Sequence, residues 1–158
     1  MSDTHGRHIA ARQAVQRFDA AGVEHIIHCG DVGGVEVFEE LTGKAITFVW
    51  GNTDDPDIGL NTFLQSAGFT LPTAVPTVVE LDHKRFAVFH GHEHAFYANA
   101  RSPGVDYVLH GHTHETRDDR VGEVRFINPG ALHRARVHTV AILDTDSDRL
   151  EFVEIGSR

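Results

Sequence analysis

Four hydrophobic segments of this chain end in the same way, with a glycine that a polar residue follows. The four are HIIHC (25–29) before Gly30-Asp31, AITFVW (45–50) before Gly51-Asn52, RFAVFH (85–90) before Gly91-His92, and DYVLH (106–110) before Gly111-His112. Short runs of β-branched and aromatic residues predict strands, and glycine allows a sharp turn where a strand ends. The carboxyl ends of parallel strands meet at one edge of a sheet, where open α/β folds bind ligands. The pattern therefore predicts that polar side chains from four distant parts of the chain gather at one edge.

The rest of the chain indicates how those strands are covered. Residues 7–21 carry apolar side chains at three- and four-residue spacing before Gly22, and VEVFEEL (35–41) is a second predicted helix. Further strands are predicted at TVVEL (77–81), EVRFI (123–127), VHTVAILD (137–144) and RLEFVEI (149–155), with a tight hairpin turn at Asp82-His83-Lys84. Parallel β/α units followed by antiparallel strands predict an α/β fold of two packed mixed β-sheets flanked by helices, in one domain over residues 1–158.

Composition disfavours several classes of protein. The single cysteine, Cys29, cannot form an internal disulfide, which is typical of a reducing compartment. The longest apolar run, AITFVW, is too short to cross a bilayer, and no secretory signal pattern opens the chain. A formal net charge of −9 disfavours a long nucleic acid, which would normally meet a basic face. We therefore expect a cytoplasmic protein without a membrane or nucleic-acid partner.

The residue types at the predicted edge share one chemistry. Imidazole, carboxylate and carboxamide groups donate lone pairs to divalent metals such as Mn²⁺, Fe²⁺, Co²⁺ or Zn²⁺. A structural zinc site favours cysteines and closed four-coordination, whereas Cys29 lies inside a predicted strand. More than four Asp, Asn and His side chains at one edge indicate two open metal sites that share a ligand. For most of the 23 Asp and Glu residues, a charged surface that keeps the protein soluble is the simpler interpretation.

Five motifs, in order, resemble those of the calcineurin-like metallophosphoesterases. They are SDTHG (2–6), GD (30–31), GNTD (51–54), HGH (90–92) and GHTH (111–114). NPGA (128–131), with Arg134 behind it, resembles the NPGS segment of the small YfcE/MJ0936-like phosphodiesterases in this superfamily. The resemblance covers essentially the whole chain and implies the αββα sandwich of the superfamily.

The resemblance also implies a ligand set. It assigns one metal to Asp3, His5 and His114, the other to Asn52, His90 and His112, and a bridging role to Asp31. A shared carboxylate lowers the repulsion between two neighbouring cations, and the pair lowers the pKa of a bridging water to give a hydroxide nucleophile. Mn²⁺ is the first expectation for the metal, with Ni²⁺, Co²⁺, Fe²⁺ and Zn²⁺ as alternatives. Asp31, Asn52 and His90 are then expected to act in catalysis.

Other polar residues have less specific interpretations. The candidates for contact with substrate, or for support of the ligands, are His92, Asp54 and Arg134. His110 and His28 are predicted to pack in the interior, His133 and His138 to lie at the surface, and His94 and Phe96 to lie on a rim loop. For Asp55, a role in orienting a ligand and a role as helix N-cap before Pro56 are equally good interpretations.

Two features depart from the superfamily pattern. Many members carry a histidine where this chain has Thr53, so a proton donor for the leaving group is missing from its usual place; water, His92 or His8 would partly substitute. Relatives also have a full hydrophobic strand before the first motif, whereas this chain begins Met1-Ser2-Asp3. We therefore expect a gap in the sheet, Asp3 and His5 on a free terminus, and reduced occupancy of the first metal site.

The function that the resemblance implies is hydrolysis of a small-molecule phosphodiester, with phosphomonoesters as further substrates. A chain without a cap domain implies an open, weakly selective site. The alternative is a protein-interaction scaffold, like the inactive retromer subunit that resembles this fold. Loss of metal-binding residues from the motifs would indicate a scaffold, whereas all seven ligand positions are filled here. Relatives form dimers or larger assemblies, so the resemblance extends to a homo-oligomer as a candidate assembly.

Overall fold

The computed structural model of the protein describes residues 1–99 and 104–156. The helices within these residues are α1 (His8–Ala20), α2 (Val35–Leu41), α3 (Ile58–Ser66) and α4 (His94–Asn99). The strands are β1 (Ile26–His28), β2 (Ile46–Phe48), β3 (Thr77–Leu81), β4 (Lys84–Val88), β5 (Tyr107–Leu109), β6 (Thr116–Val121), β7 (Val124–Pro129), β8 (Thr139–Asp144) and β9 (Arg149–Glu154). Among these helices, none combines the length and the apolar composition that crossing a bilayer requires.

The first half of the chain forms a pair of parallel strands covered by helices. β1 and β2 pair in parallel, with Ile26 opposite Ile46. α1 buries Ala11, Ala14, Val15 and Phe18, which lie on one face because of their three- and four-residue spacing. The predicted helices and strands of this half are confirmed, with ends that differ by one or two residues.

A five-stranded sheet in the order β3-β4-β5-β7-β6 forms the second layer of strands. β3 and β4 are joined by the predicted tight turn, in which Asp82 and His83 adopt φ values of 50° and 61°. β4, β5 and β7 are mutually parallel, so their carboxyl ends lie at the same edge. His90, His110 and Gly130 follow these three ends directly or by one residue.

The layers stack as the sequence predicts. α1 and α2 pack with β1, β2, β8 and β9 around one apolar cluster that includes Phe18, Phe38 and Val140. The other face of β1 contacts the five-stranded sheet through Ile27, which lies against Val79 and Leu109. α4 packs on the far side of that sheet. The αββα arrangement with two packed sheets is therefore confirmed.

The gap predicted in the first sheet is present. Within the described residues, β1 has β2 as its strand partner and β8 has β9, so this layer consists of two separate ladders. A groove of about 810 Å³ lies between them, lined by residues that include Met1, Ile27 and Ala141.

The prediction that Asp3 and His5 lie on a free terminus is wrong. The α-amino group of Met1 donates to the Ile27 carbonyl at 2.8 Å, Cys29 N–H donates to the Met1 carbonyl at 3.0 Å, and Asp3 N–H donates to the Gly30 carbonyl at 3.0 Å. These bonds extend the β1 ladder onto the first residues of the chain, and residues 1–4 are buried. Burial lowers the pKa of the Met1 amino group. Backbone pairing thus anchors the segment that precedes the first motif.

Two helices differ from the sequence expectations. α3 was not predicted, and its N-cap is Asp57, whose carboxylate accepts from Leu60 N–H at 2.7 Å; the cap predicted at Asp55 is therefore wrong. The rim loop predicted at His94 and Phe96 is also wrong, because α4 begins at His94. Phe96 is buried and its ring lies 5.5 Å from that of Phe89, so the helix is fixed by apolar packing.

Candidate metal centre

The predicted ligands are carried by loops with an unusual backbone conformation. Nine non-glycine residues in the described part of the chain have positive φ, and five of them are predicted ligands: Asp3 (53°), His5 (44°), Asp31 (53°), His112 (69°) and His114 (59°). This left-handed region is sparsely populated by residues with a Cβ, and such strain concentrates at functional sites. The conformation turns these side chains away from their strands and toward one another.

The first half-site consists of Asp3, His5 and His114. Their ligand atoms lie within 4.8 Å of one another, and Asp3 Oδ1 is 3.2 Å from His114 Nε2. Asp3 Oδ2 is already used, since it accepts from Ser2 Oγ at 2.6 Å and from His112 N–H at 3.1 Å. Asp3 Oδ1 and His5 Nε2 are buried without a hydrogen bond among the described residues. Two unsatisfied buried atoms that face each other indicate a missing partner at this point.

The second half-site consists of Asn52, His90 and His112. His90 is fully buried, and its Nδ1–H donates to the Cys29 carbonyl at 2.7 Å. In a neutral ring with this tautomer, Nε2 carries a lone pair. The Nε2 atom lies 3.1 Å from Asn52 Oδ1. The His112 ring lies beside it, with centroids 5.1 Å apart.

Asp31 lies between the two half-sites. Its Oδ2 is 3.4 Å from His5 Nε2 and 3.4 Å from His90 Nε2, while Oδ1 accepts from Thr53 N–H at 2.9 Å. Burial raises the pKa of this carboxyl. The hydrogen bonds from Thr53, together with the electrostatic effect of His90 and His5, outweigh burial and leave the pKa below its ordinary value. Asp31 is therefore ionised at neutral pH.

A cation fits this set of atoms. Around Asp31 Oδ2, the Nε2 atom of His90 is free to act as a ligand because Nδ1 bonds to the Cys29 carbonyl, and Asn52 Oδ1 is a further acceptor. Three acceptors at such distances repel one another unless a positive charge lies between them. Carboxylate, carboxamide and imidazole are also the ligands that divalent first-row metals accept. The residues present therefore suit divalent metal ions, and the structure brings the side chains named as ligands close together.

The comparisons with known proteins agree with this arrangement. The family model described as the calcineurin-like phosphoesterase superfamily domain matches residues 1–148. The chain belongs to the calcineurin-like phosphoesterase superfamily. Within it, the phosphodiesterase MJ0936 of Methanocaldococcus jannaschii is 34% identical over 161 residues, which cover 98% of this chain and 95% of that protein.

Several solved structures resemble the fold closely. A structure described as that of a novel archaeal phosphodiesterase has a TM-score of 0.87 and 31% identity, and the match covers 98% of this chain and 96% of that one. YfcE, a phosphoesterase from E. coli, has a TM-score of 0.70 at 24% identity, with 98% and 97% covered. Zinc-complexed Vps29 from Entamoeba histolytica has a TM-score of 0.64 at 20% identity, with 90% and 88% covered, which shows a shared fold alone.

The glycines that follow the strands allow the calcineurin-like loops to approach one another. A Cβ at Gly51 would collide with the Asp31 carboxylate, and a Cβ at Gly111 would collide with Ser2 Oγ. Both positions therefore need glycine for close backbone approach. Close approach of the loops thus explains why a glycine follows these strands.

A buried histidine supports the first half-site. Gly30 N–H donates to His28 Nδ1 at 3.2 Å, so the neutral His28 carries its proton on Nε2 and donates to Thr4 Oγ1 at 2.9 Å. Thr4 Oγ1 in turn donates to the Val32 carbonyl at 3.0 Å. Thr4 lies between Asp3 and His5, so His28 links the first motif to the loop that carries Asp31. The interior position predicted for His28 is confirmed.

Two carboxylates hold the neighbouring loops through backbone N–H groups. Asp54 accepts from Gly33 N–H at 3.0 Å and from Gly51 N–H at 2.8 Å, so it ties the GD loop to the GN loop. Glu93, which the sequence analysis did not single out, accepts from His90 N–H at 2.7 Å and from Gly91 N–H at 2.6 Å. Charge-assisted bonds of this kind fix the loops before any ligand binds.

The GHTH loop is fixed from its other side by Asn128. The Asn128 amide donates to the Gly111 carbonyl at 2.9 Å and to Thr113 Oγ1 at 3.1 Å. His110 is buried against Phe96, with ring centroids 4.8 Å apart, and burial lowers its pKa to about 4. His110 therefore packs in the interior, as the sequence predicts, while His112 and His114 turn to the centre.

The remaining candidates lie around the rim. The His92 ring is 5.3 Å from that of His90, and about a third of its side chain is exposed. Arg134 is exposed, with a φ of 50°. His8 is half-buried at the start of α1, on the side of Glu40. His92 therefore lies beside the second half-site, whereas Arg134 lies near His133.

His133 and His138, both predicted to lie at the surface, are half-buried. Of the two, His133 lies next to the centre, and its ring centroid is 5.1 Å from that of His5. Its Nδ1 is buried without a hydrogen bond among the described residues. The only sequence signal was its position four residues after the proline of NPGA, which carries no spatial information by itself.

Proposed function

We propose that this protein is a metal-dependent phosphodiesterase that hydrolyses small-molecule phosphodiesters, and phosphomonoesters as further substrates. The observation that carries the proposal is the position of Asp31 Oδ2, 3.4 Å from the nitrogens of both His5 and His90. The printed name of the relative from M. jannaschii, a phosphodiesterase 34% identical to this chain, supports the same reaction.

Two divalent cations would be held by the two half-sites, with Asp31 shared. Mn²⁺ is the first candidate and Ni²⁺, Co²⁺, Fe²⁺ and Zn²⁺ are alternatives, because each accepts nitrogen and oxygen ligands. When bound, such a pair supplies a water of lowered pKa as nucleophile and positive charge for the phosphoryl oxygens. The protein's part is to hold seven ligand atoms in place before the ions arrive.

The side chains around the centre have distinct tasks in this reaction. The hydrogen bond from His90 to the Cys29 carbonyl keeps Nε2 directed at the centre. Thr53 N–H orients the Asp31 carboxylate. We assign His92 and Arg134, together with Asp54, to contact with the substrate or to support of the ligands. Since Thr53 offers no imidazole to protonate a leaving alkoxide, we expect good leaving groups to be expelled fastest.

The partners follow from the open rim and the charge. An exposed rim and a net charge of −9 favour a small phosphoester over a long nucleic acid as substrate. We propose that the protein acts in the cytoplasm, and that a homo-oligomer is its candidate assembly.

The test is hydrolysis of bis-p-nitrophenyl phosphate by metal-free protein, before and after Mn²⁺, Ni²⁺, Co²⁺ or Zn²⁺ is restored. We expect metal-restored turnover, and a loss of about a hundredfold or more in Asp31→Asn, which keeps the shape but removes the charge. Asp55→Asn, an exposed aspartate in the loop after Asp54, is the matched control and should keep full turnover.

Turnover that survives complete removal of metal, or that is equal in Asp31→Asn and the unmodified protein, would contradict the proposal. A metal-loaded protein without any turnover would favour the scaffold function instead. The seven predicted ligand positions argue against that outcome, because a scaffold has no need to keep them converged.

A further inference from the structure

One buried polar atom near the metal centre, His133 Nδ1, has neither a hydrogen-bond partner among the described residues nor a place in the predicted ligand set. Among the described residues, three buried side-chain atoms lack a hydrogen-bond partner: Asp3 Oδ1, His5 Nε2 and His133 Nδ1. The first two belong to the first half-site and are accounted for by a cation. His133 belongs to neither half-site, and an unsatisfied buried nitrogen is costly unless something binds it.

The position of His133 is fixed by the residues before it. Ala131 and Leu132 are fully buried. Leu132 N–H donates to the Ser2 carbonyl at 3.4 Å, and the Ala131 carbonyl accepts from Thr139 N–H at 3.3 Å. These bonds attach the loop to the segment that carries Asp3 and His5. The ring is therefore held next to the first half-site rather than placed there by a loose surface loop.

His133 is a neighbour of the ligands and not one of them. The ligand atoms of Asp3, His5 and His114 group within 4.8 Å of one another, and His133 falls outside that group. Its ring centroid instead lies 5.1 Å from that of His5, with the two rings tilted by 52°. The imidazole therefore lies beside the first half-site without belonging to its ligand group.

The local charge favours an anion at this position. Arg134 and Arg7 are both exposed and both near enough to interact electrostatically with the His133 ring. The protein as a whole carries a net charge of −9, so two arginines on one side of a site rich in Asp and His form a local exception. Non-bridging phosphoryl oxygens carry the negative charge of a phosphodiester and accept hydrogen bonds, whereas an imidazole Nδ1–H donates one.

We propose that His133 is a substrate-binding residue that donates from Nδ1 to a phosphoryl oxygen on the side of the first half-site. This inference rests on the phosphoesterase function proposed above and adds a residue to the substrate contacts. It predicts that removal of the imidazole weakens oxyanion binding while both metal ions stay in place.

The test uses metal-loaded protein and three variants. His133→Ala removes the donor, His133→Asn retains an N–H near the position of Nδ1, and His138→Ala removes a half-buried histidine from the same segment as a control. Three quantities are measured: the dissociation constant for inorganic phosphate by calorimetry, kcat and KM for bis-p-nitrophenyl phosphate, and the bound metal per chain by mass spectrometry.

We expect His133→Ala to raise the dissociation constant for phosphate by about tenfold and to lower kcat/KM by a similar factor, since a hydrogen bond to a charged group has this size. His133→Asn should recover most of the loss, and His138→Ala should match the unmodified protein. Metal content should be the same in all four proteins.

Phosphate binding by His133→Ala that stays within twofold of the unmodified protein would overturn the inference while leaving the proposed function intact. Loss of a metal ion in His133→Ala would also overturn it, because the residue would then support a ligand. If the unmodified, metal-loaded protein neither hydrolyses the diester nor binds phosphate, the proposed function fails and this inference fails with it.

Discussion

The second half-site is centred on His90, which follows a strand of the five-stranded sheet, whereas the first is centred on Asp3 and His5, in a terminal segment held by backbone bonds to β1. His90 follows β4 in the middle of that sheet, is fully buried, and has its Nδ1 bonded to the Cys29 carbonyl. His5 and His114 are more open, with side chains 18% and 21% exposed, and His5 Nδ1 has only a 3.5 Å contact with Thr53 Oγ1. All three unsatisfied buried atoms of the described residues lie on the side of the first half-site.

The difference shows which part of the centre the protein orients by itself and which part depends on the bound cation. The second half-site is oriented by the protein itself, because its central histidine is bonded and packed without a metal. The first half-site contains buried polar atoms whose partner is the cation, so the metal-free protein carries an energetic cost there. We therefore expect the two half-sites to respond differently when a ligand residue or the metal is removed.

The largest contrast is expected between His90→Ala and His5→Ala. Both should lose most of the turnover, but the metal-free proteins should differ in stability. His90→Ala opens a cavity and leaves the Cys29 carbonyl without its partner, which lowers the free energy of unfolding by about 3 kcal/mol. His5→Ala removes a partly exposed ring with an unsatisfied nitrogen, so the expected change is below about 1 kcal/mol.

Urea unfolding of the two metal-free variants measures this contrast, with turnover of the Mn²⁺-loaded forms measured in parallel. Equal losses of stability in the two variants would mean that the half-sites are equally preorganised, and the comparison would fail.

A smaller effect is expected when the metal is withdrawn in steps. Because His5 and His114 are more exposed and less firmly fixed than His90, the first half-site should release its ion before the second. The two dissociation constants should differ by about tenfold, or about 1.4 kcal/mol. Titration of the two-metal protein with a chelator, followed by the metal content at each step, measures the release. His114→Ala should abolish the early step and His112→Ala the late one. A single step in the unmodified protein would contradict the order.

The smallest effect is a dependence of stability on pH that acts through the support of the first half-site. Burial, the Met1 amino group and the neighbouring His90 and His5 lower the pKa of His28 well below its ordinary value, so the folded protein keeps the ring neutral. The unfolded chain binds a proton near pH 6.5, so this contribution to stability is fully present above that pH and is lost as the pH falls below it.

For His28 the free energy of unfolding should fall by about 1 kcal/mol between pH 6.5 and 5.5. Urea unfolding of the metal-free protein at the two pH values measures the change, and His28→Gln, which does not titrate, should lack this part of it. Identical pH dependences in the two proteins would exclude His28 as the origin.

The sequence predicted the parts of the molecule that repeat a pattern. β1, β2, β4 and β5 were predictable because each hydrophobic run ends in glycine, and the convergence of Asp31, Asn52, His90 and His112 follows from parallel strands. β6 was missed because TRDDRV lies at the outside of the sheet and shows no alternation of apolar residues. α3 was missed because Gly59, Asn61 and Thr62 are weak helix formers, and its stability comes from Leu64 in the core and the cap at Asp57.

The anchoring of the N-terminus and the position of His133 were beyond sequence reasoning for a different reason. Both depend on backbone hydrogen bonds between segments that are distant in the chain, such as Leu132 N–H with the Ser2 carbonyl. No periodicity or motif spacing records such a pairing. These are also the features that make the first half-site differ from the second.

The central claim is that two divalent ions share Asp31, and anomalous scattering from crystals grown with Mn²⁺ tests it most directly. The account predicts two peaks, one on each side of the Asp31 carboxylate, with the lower occupancy beside Asp3, His5 and His114. A single peak, or peaks that do not contact Asp31, would contradict it.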